Sequence, residues 1–85
     1  MEIVFAAKII RQIRDLESAL QEEVYEKIDL FRDAGNHKQL KVHKLHGRMR
    51  GYYSFSVNYK FRIVFKYINK KTIILLTVGD HEIYS

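Results

Sequence analysis

"YYSFSVNYKFRIVFKYINKKTIILLTV" runs from Tyr52 to Val78. Its first part alternates. Tyr53, Phe55, Val57 and Tyr59 take every second position, with Tyr52, Ser54, Ser56 and Asn58 between them. Phe61, Ile63, Phe65 and Tyr67 repeat the pattern around Arg62, Val64 and Lys66. A period of two marks a strand with one apolar face. Two strands are therefore expected from Gly51 onward, joined by a turn near Asn58–Lys60. "INKK" (Ile68–Lys71) reads as the next turn. "TIILLTV" (Thr72–Val78) is apolar on both faces, as an interior strand is.

Working outward, the period changes. "EIVF" (Glu2–Phe5) reads as a short strand. From Ala6 the apolar positions Ala6, Ile9, Ile13 and Leu16 fall three or four apart, which predicts a helix. Ser18 followed three residues later by Gln21 has the form of a capping box and predicts a second helix start. Glu22 and Glu23 suit the dipole of its first turn. Leu20, Val24, Ile28 and Phe31 form its stripe, and Gly35 reads as its C-terminal stop. The expected architecture is α+β, in the order β-α-α-β-β-β, as one domain over residues 1–85. A helical hairpin should cover one face of a twisted, mainly antiparallel sheet. The other face should show Ser54, Ser56, Arg62 and Lys66 to water.

Charge is distributed unevenly. The net value is +5, yet residues 34–79 hold ten bases and no acid, while residues 1–33 hold eight acids and five bases. A block of one sign is the footprint of a polyanion site. The alternative is a set of lysines that keeps a sheet soluble and blunts its edges. The chain has no Cys, so it has no disulfide and no Cys-based zinc site. No apolar run approaches the ~18 residues of a membrane span, and the first residues lack the layout of a signal peptide. A soluble cytoplasmic protein is expected.

The basic half has no Asp/Glu pair, which disfavours two-carboxylate hydrolysis and magnesium-dependent nuclease chemistry. Ser54 and Ser56 have no nucleophile elbow around them. Histidine is the remaining catalyst type. His37 reads as a surface residue in the loop after the second helix. His43, His46 and His81 could in principle hold zinc, but Lys41 and Lys44 flank the first two and oppose a dication. No metal or other cofactor is expected. Metal-free RNA cleavage instead needs a base for the 2′-hydroxyl, an acid for the leaving 5′-oxygen, and cations for the phosphate. Histidines set among Arg and Lys suit that chemistry.

"HKLHGRMRGYYSFSV", "KFRIVF" and "LLTVGDHEIY" together resemble the RelE/ParE superfamily of toxins from type II toxin–antitoxin systems, with the YafQ-like and plasmid-stabilisation branches the nearest in motif. The resemblance covers nearly the whole chain. It implies a ribosome-dependent endoribonuclease that cuts mRNA, neutralised by a small acidic antitoxin. Residue by residue it implies catalytic roles for His81, His43 and Arg62, with Tyr84 near the family's C-terminal aromatic. Lys41, Lys44, Arg48, Arg50 and Lys66 are then the RNA-docking set. Ser54 and Ser56 stand where RelE has lysines, and Ser56 where YafQ has a histidine. The ParE branch shares the fold but targets DNA gyrase, so gyrase-directed action, RNA binding without cleavage, and an inert cassette member stay open as alternatives.

Overall fold

The computed structural model describes residues 1–80 of the 85. β1 (Glu2–Phe5) leads into α1 (Ala7–Arg14) and α2 (Ser18–Phe31). β2 (His43–Lys44), β3 (Tyr53–Ser56), β4 (Arg62–Asn69) and β5 (Thr72–Gly79) follow, with short 3-10 turns at Ala34–Asn36 and Gly47–Met49. The sheet order is β1-β5-β4-β3-β2. β1 and β5 pair in parallel; β2–β3, β3–β4 and β4–β5 are antiparallel. The expected order of elements is present, with one addition. β2 is an edge strand of two residues, too short to carry any period in the sequence.

The core lies between the helical hairpin and one face of the sheet. Ile9 and Ile13 of α1 and Val24, Ile28 and Phe31 of α2 are buried against Phe55, Val57, Ile63, Phe65, Ile73, Leu75 and Val78. Phe31 is the centre of this layer. Its ring stacks on Phe55 at 4.2 Å and on His37 at 4.6 Å, and meets Phe65 edge-on at 4.9 Å. β5 slips register opposite Val64 and Phe65. There Gln12 of α1 donates to Thr77 Oγ1 at 2.9 Å and accepts from the Val78 N–H at 2.9 Å, so α1 is tied to the sheet by polar contacts as well as apolar ones.

Several local expectations are corrected. Ser18 does begin α2, but Glu17 is its N-cap and no side chain caps it. Gln21 turns the other way. Its amide donates to the carbonyls of Ile13 at 2.8 Å and Arg14 at 3.2 Å, at the C-terminal end of α1. Gly35 does not stop α2, which ends four residues earlier, at Phe31. Asn36 Nδ2 donates to Leu30 O and His37 Nε2 to Phe31 O, both at 2.9 Å, so two side chains cap the helix. His37 is thus a half-buried cap and stacking residue rather than plain surface. Tyr59 does not continue the apolar face. It is 91% exposed in the turn, where Asn58 Oδ1 accepts from the N–H groups of Lys60 and Phe61. Tyr67 is also 43% exposed, in the half of β4 that runs on past its pairing with β3.

Candidate active site

The outer face of the sheet, away from the helices, is built by register. A turn centred on Tyr59 pairs Ser56 with Arg62 and Ser54 with Val64. β2 then adds His43 directly opposite Ser54. Directly opposed residues in antiparallel strands share a face, so His43, Ser54, Val64, Ser56 and Arg62 gather on one side. Lys66 lies four residues along β4 from Arg62 and keeps the same side, with its Nζ 6.0 Å from the centre of the Tyr52 ring. Standard strand spacings put the His43 and Arg62 Cα atoms about 12 Å apart, close enough for both side chains to reach one phosphodiester.

Arg62 is anchored. Its Nη1 donates to Ser56 Oγ at 2.5 Å across the strand pair. That contact holds one edge of the guanidinium and leaves further N–H donors of its planar fork. His43 is exposed on the edge strand, and its Nδ1 lies 2.9 Å from the Lys41 carbonyl oxygen. Lys41 itself has φ +58°, the left-handed region that a side chain with a Cβ seldom adopts.

Ser54 departs from expectation. It is fully buried, and its hydroxyl has no hydrogen-bond partner. The reason is positional: its neighbours on the same face are His43, Tyr52, Ser56 and Val64, and the next rows of β4 carry the long side chains of Arg62 and Lys66. A short side chain sinks to the floor of such a surface. Ser54 therefore presents nothing to a ligand.

The docking set divides. Lys41 sits at the bend that enters β2, and Arg48 and Arg50 are exposed in and just beyond the 3-10 turn between β2 and β3. Lys66 faces outward with Arg62. Lys44 pairs with Tyr53, whose row faces the helices, so Lys44 lies on the other side of the sheet from His43. His46 is exposed at the N-cap of the second 3-10 turn, without a capping bond. Arg32 and Asp29 form an ion pair at 3.8 Å, outside the basic block. His81 and Tyr84 lie outside the described residues. Residue types alone do not mark Ser56 as the anchor of Arg62, although the hairpin's symmetry about Tyr59 carries the signal.

The family model for the HigB-like RelE-like toxin of type II toxin–antitoxin systems matches residues 8–81. The chain belongs to the RelE-like toxins. No curated protein sequence matches it. Solved structures of the same fold do. The YoeB–YefM complex from Staphylococcus aureus aligns with TM-score 0.72 and 19% identity, over 95% of this chain and 97% of the other. The archaeal RelE–RelB complex from Pyrococcus horikoshii gives TM-score 0.71 at 16% identity, over 93% and 92%. A point mutant of YafQ from E. coli gives 0.68 at 16%, over 96% and 94%. These identities speak for the fold, two helices on a mixed five-stranded sheet. In this RelE-like toxin the outer sheet face is formed by β2, β3 and β4. Among the described residues no helix is long and apolar enough to cross a membrane.

Proposed function

We propose that this RelE-like toxin is a metal-free endoribonuclease acting on mRNA in the ribosome, held in check by a small acidic antitoxin. The observation that carries this reading is the convergence of His43 and an anchored Arg62 on one sheet face that holds no acid among its paired positions. In the reaction the ribose 2′-oxygen forms a bond to phosphorus and the bond to the 5′-oxygen breaks. The products are a 2′,3′-cyclic phosphate and a 5′-hydroxyl. One histidine takes the 2′-hydroxyl proton and another supplies a proton to the 5′-oxygen; His43 and His81 fill these two roles. Arg62 holds the phosphate oxygens as charge builds on them. Tyr84 completes the candidate set. Lys41, Arg48, Arg50 and Lys66 dock the RNA, with Lys44 reaching it only from around the edge strand. Cytoplasmic location follows from the substrate, and no cofactor enters the mechanism.

The antitoxin rests on two supports. Solved relatives are toxin–antitoxin complexes, and the basic block here offers an acidic segment a complementary surface. The buried Ser54 and the committed Ser56 favour a second reading, binding without cleavage, because neither offers the cation that RelE has at those positions. Single-turnover cleavage on programmed ribosomes decides between them. Under the nuclease reading wild type cuts, while folded His43→Ala and His81→Ala proteins lose roughly 10²–10⁴-fold in rate. Absence of cutting by wild type, with retained ribosome binding, selects the second reading; binding to gyrase instead selects the ParE-like one.

A further inference from the structure

We propose that Lys41 acts through its backbone as the positioning residue for His43, fixing the imidazole as the Nδ1–H tautomer so that all proton exchange takes place at Nε2. The proton-transfer role of Nε2 rests on the nuclease reading above; the tautomer does not. A carbonyl oxygen has no proton to give. At 2.9 Å from Lys41 O, Nδ1 must therefore be the donor. The same contact survives when the ring is cationic, since both nitrogens then carry protons. Nδ1 keeps its hydrogen in both states, and only Nε2 gains or loses one.

The carbonyl is placed by a turn whose flanking residues are tied by backbone hydrogen bonds. Leu40 is buried in the core, its N–H donates to Asn36 O at 3.0 Å, and its own carbonyl accepts the Ser56 N–H at 2.8 Å. On the far side the Val42 N–H donates to His37 O at 3.0 Å. Between these fixed points the chain must reverse within one residue, and Lys41 does so at φ +58°. Among the described residues it is the one non-glycine with positive φ. Strain of this kind persists only where surrounding contacts over-determine it. Here its result is a carbonyl that meets the His43 ring, two residues on, as the chain enters β2. The register opposite Ser54 then sets the ring on the face that carries Arg62. Lys41 thus contributes more than charge, and the contribution lies in its main chain.

The test is the two-bond proton–nitrogen NMR spectrum of the imidazoles in the folded, nitrogen-15-labelled protein, recorded where the rings are neutral. His43 in wild type is expected to show a pyrrole-type Nδ1 and a pyridine-type Nε2, the reverse of the tautomer that an unconstrained histidine favours. Lys41→Gly, which accepts positive φ without a side chain, keeps that pattern. Lys41→Val, whose β-branch opposes positive φ, loses it and cleaves about tenfold or more slowly in single turnover than Lys41→Gly, which lacks the same docking charge. A pyridine-type Nδ1 in wild type overturns the proposal, as does a folded Lys41→Val protein with the wild-type pattern. Should Lys41→Val fail to fold, the wild-type and Lys41→Gly spectra decide alone. If the tautomer is found as stated and His43→Ala still cleaves at the wild-type rate, the nuclease role of His43 falls while the positioning by Lys41 stands.

Discussion

Arg62 and Ser56 face each other across β3 and β4, and their 2.5 Å contact makes them one unit. Under the nuclease reading, removing the guanidinium should cost the phosphate its stabiliser, about 10²–10³ in single-turnover rate. Ser56→Ala should cost less and act on the same step, because it frees the guanidinium without removing it. The sharper expectation is for the pair: in the Arg62→Ala background, Ser56→Ala should change nothing. An additive double mutant would show that Ser56 acts on RNA directly. Ser54 differs from its neighbour. A buried hydroxyl without a partner carries a desolvation cost of about 1–3 kcal/mol. Ser54→Ala should therefore be neutral or raise the urea midpoint, with cleavage retained. At this scale the sequence was partly legible. Alternation put Ser54, Ser56, Arg62 and Lys66 on one face, correctly. It could not tell which serine is sunk and which is bonded, since that depends on the lengths of neighbours from other strands. It could not show the Lys41 carbonyl either, because φ at one residue leaves no trace in composition.

The elements themselves followed closely from periodicity. β5 and both helices stand where apolar spacing put them, since long regular segments average over many contacts, and β4 runs on through Ile68 and Asn69 into the expected turn. The ends were harder, because capping is decided by single side chains with more than one acceptor in reach. Ser18 and Gln21 show this. Read along the chain, they make a reciprocal N-terminal cap for α2. In space Gln21 serves the end of α1 instead, at 2.8 and 3.2 Å. The two readings predict different mutants. A working capping serine is worth about 1 kcal/mol when replaced by alanine. Here Ser18→Ala should cost only a few tenths, while Gln21→Ala should cost about 1 kcal/mol through the lost carbonyl contacts. Chemical denaturation of the two single variants checks the order; a larger loss for Ser18→Ala would restore the capping box. The same reasoning explains His37, whose cap and stack on Phe31 join residues six apart through a bend that no periodic pattern describes.

Across the whole molecule, charge and layers coincide. Acids are concentrated before position 34, in and around the helical layer, and the ten bases of residues 34–79 lie on the sheet and its loops. If those bases meet phosphates, binding to RNA should weaken steeply with salt, with a slope of log affinity on log salt near −0.7 for each phosphate contacted. Replacing Lys41, Arg48, Arg50 and Lys66 together should flatten that slope by roughly three. Replacing Lys44 alone should alter it less than replacing Lys66, since the two sit on opposite faces. Filter binding across a salt series, with folded variants, measures both. A slope unmoved by the quadruple change would remove these residues from the docking surface.

The parallel pairing of β1 with β5 has a consequence for synthesis. Glu2 opposes Thr72 and Phe5 opposes Leu75, partners about 70 residues apart, and among the described residues no other strand pairs with β1. The β3–β4–β5 meander contains only short loops and can close early; β1 must wait for it, because long loops are closed late and slowly. While the ribosome is still making β5, the first strand has nothing to join, and the helices that follow it have an unfinished sheet to pack on. A half-made copy of this chain is therefore an unfolded one. The outer face that gathers His43 and Arg62 comes into being after translation of its own message has passed the codons for β5.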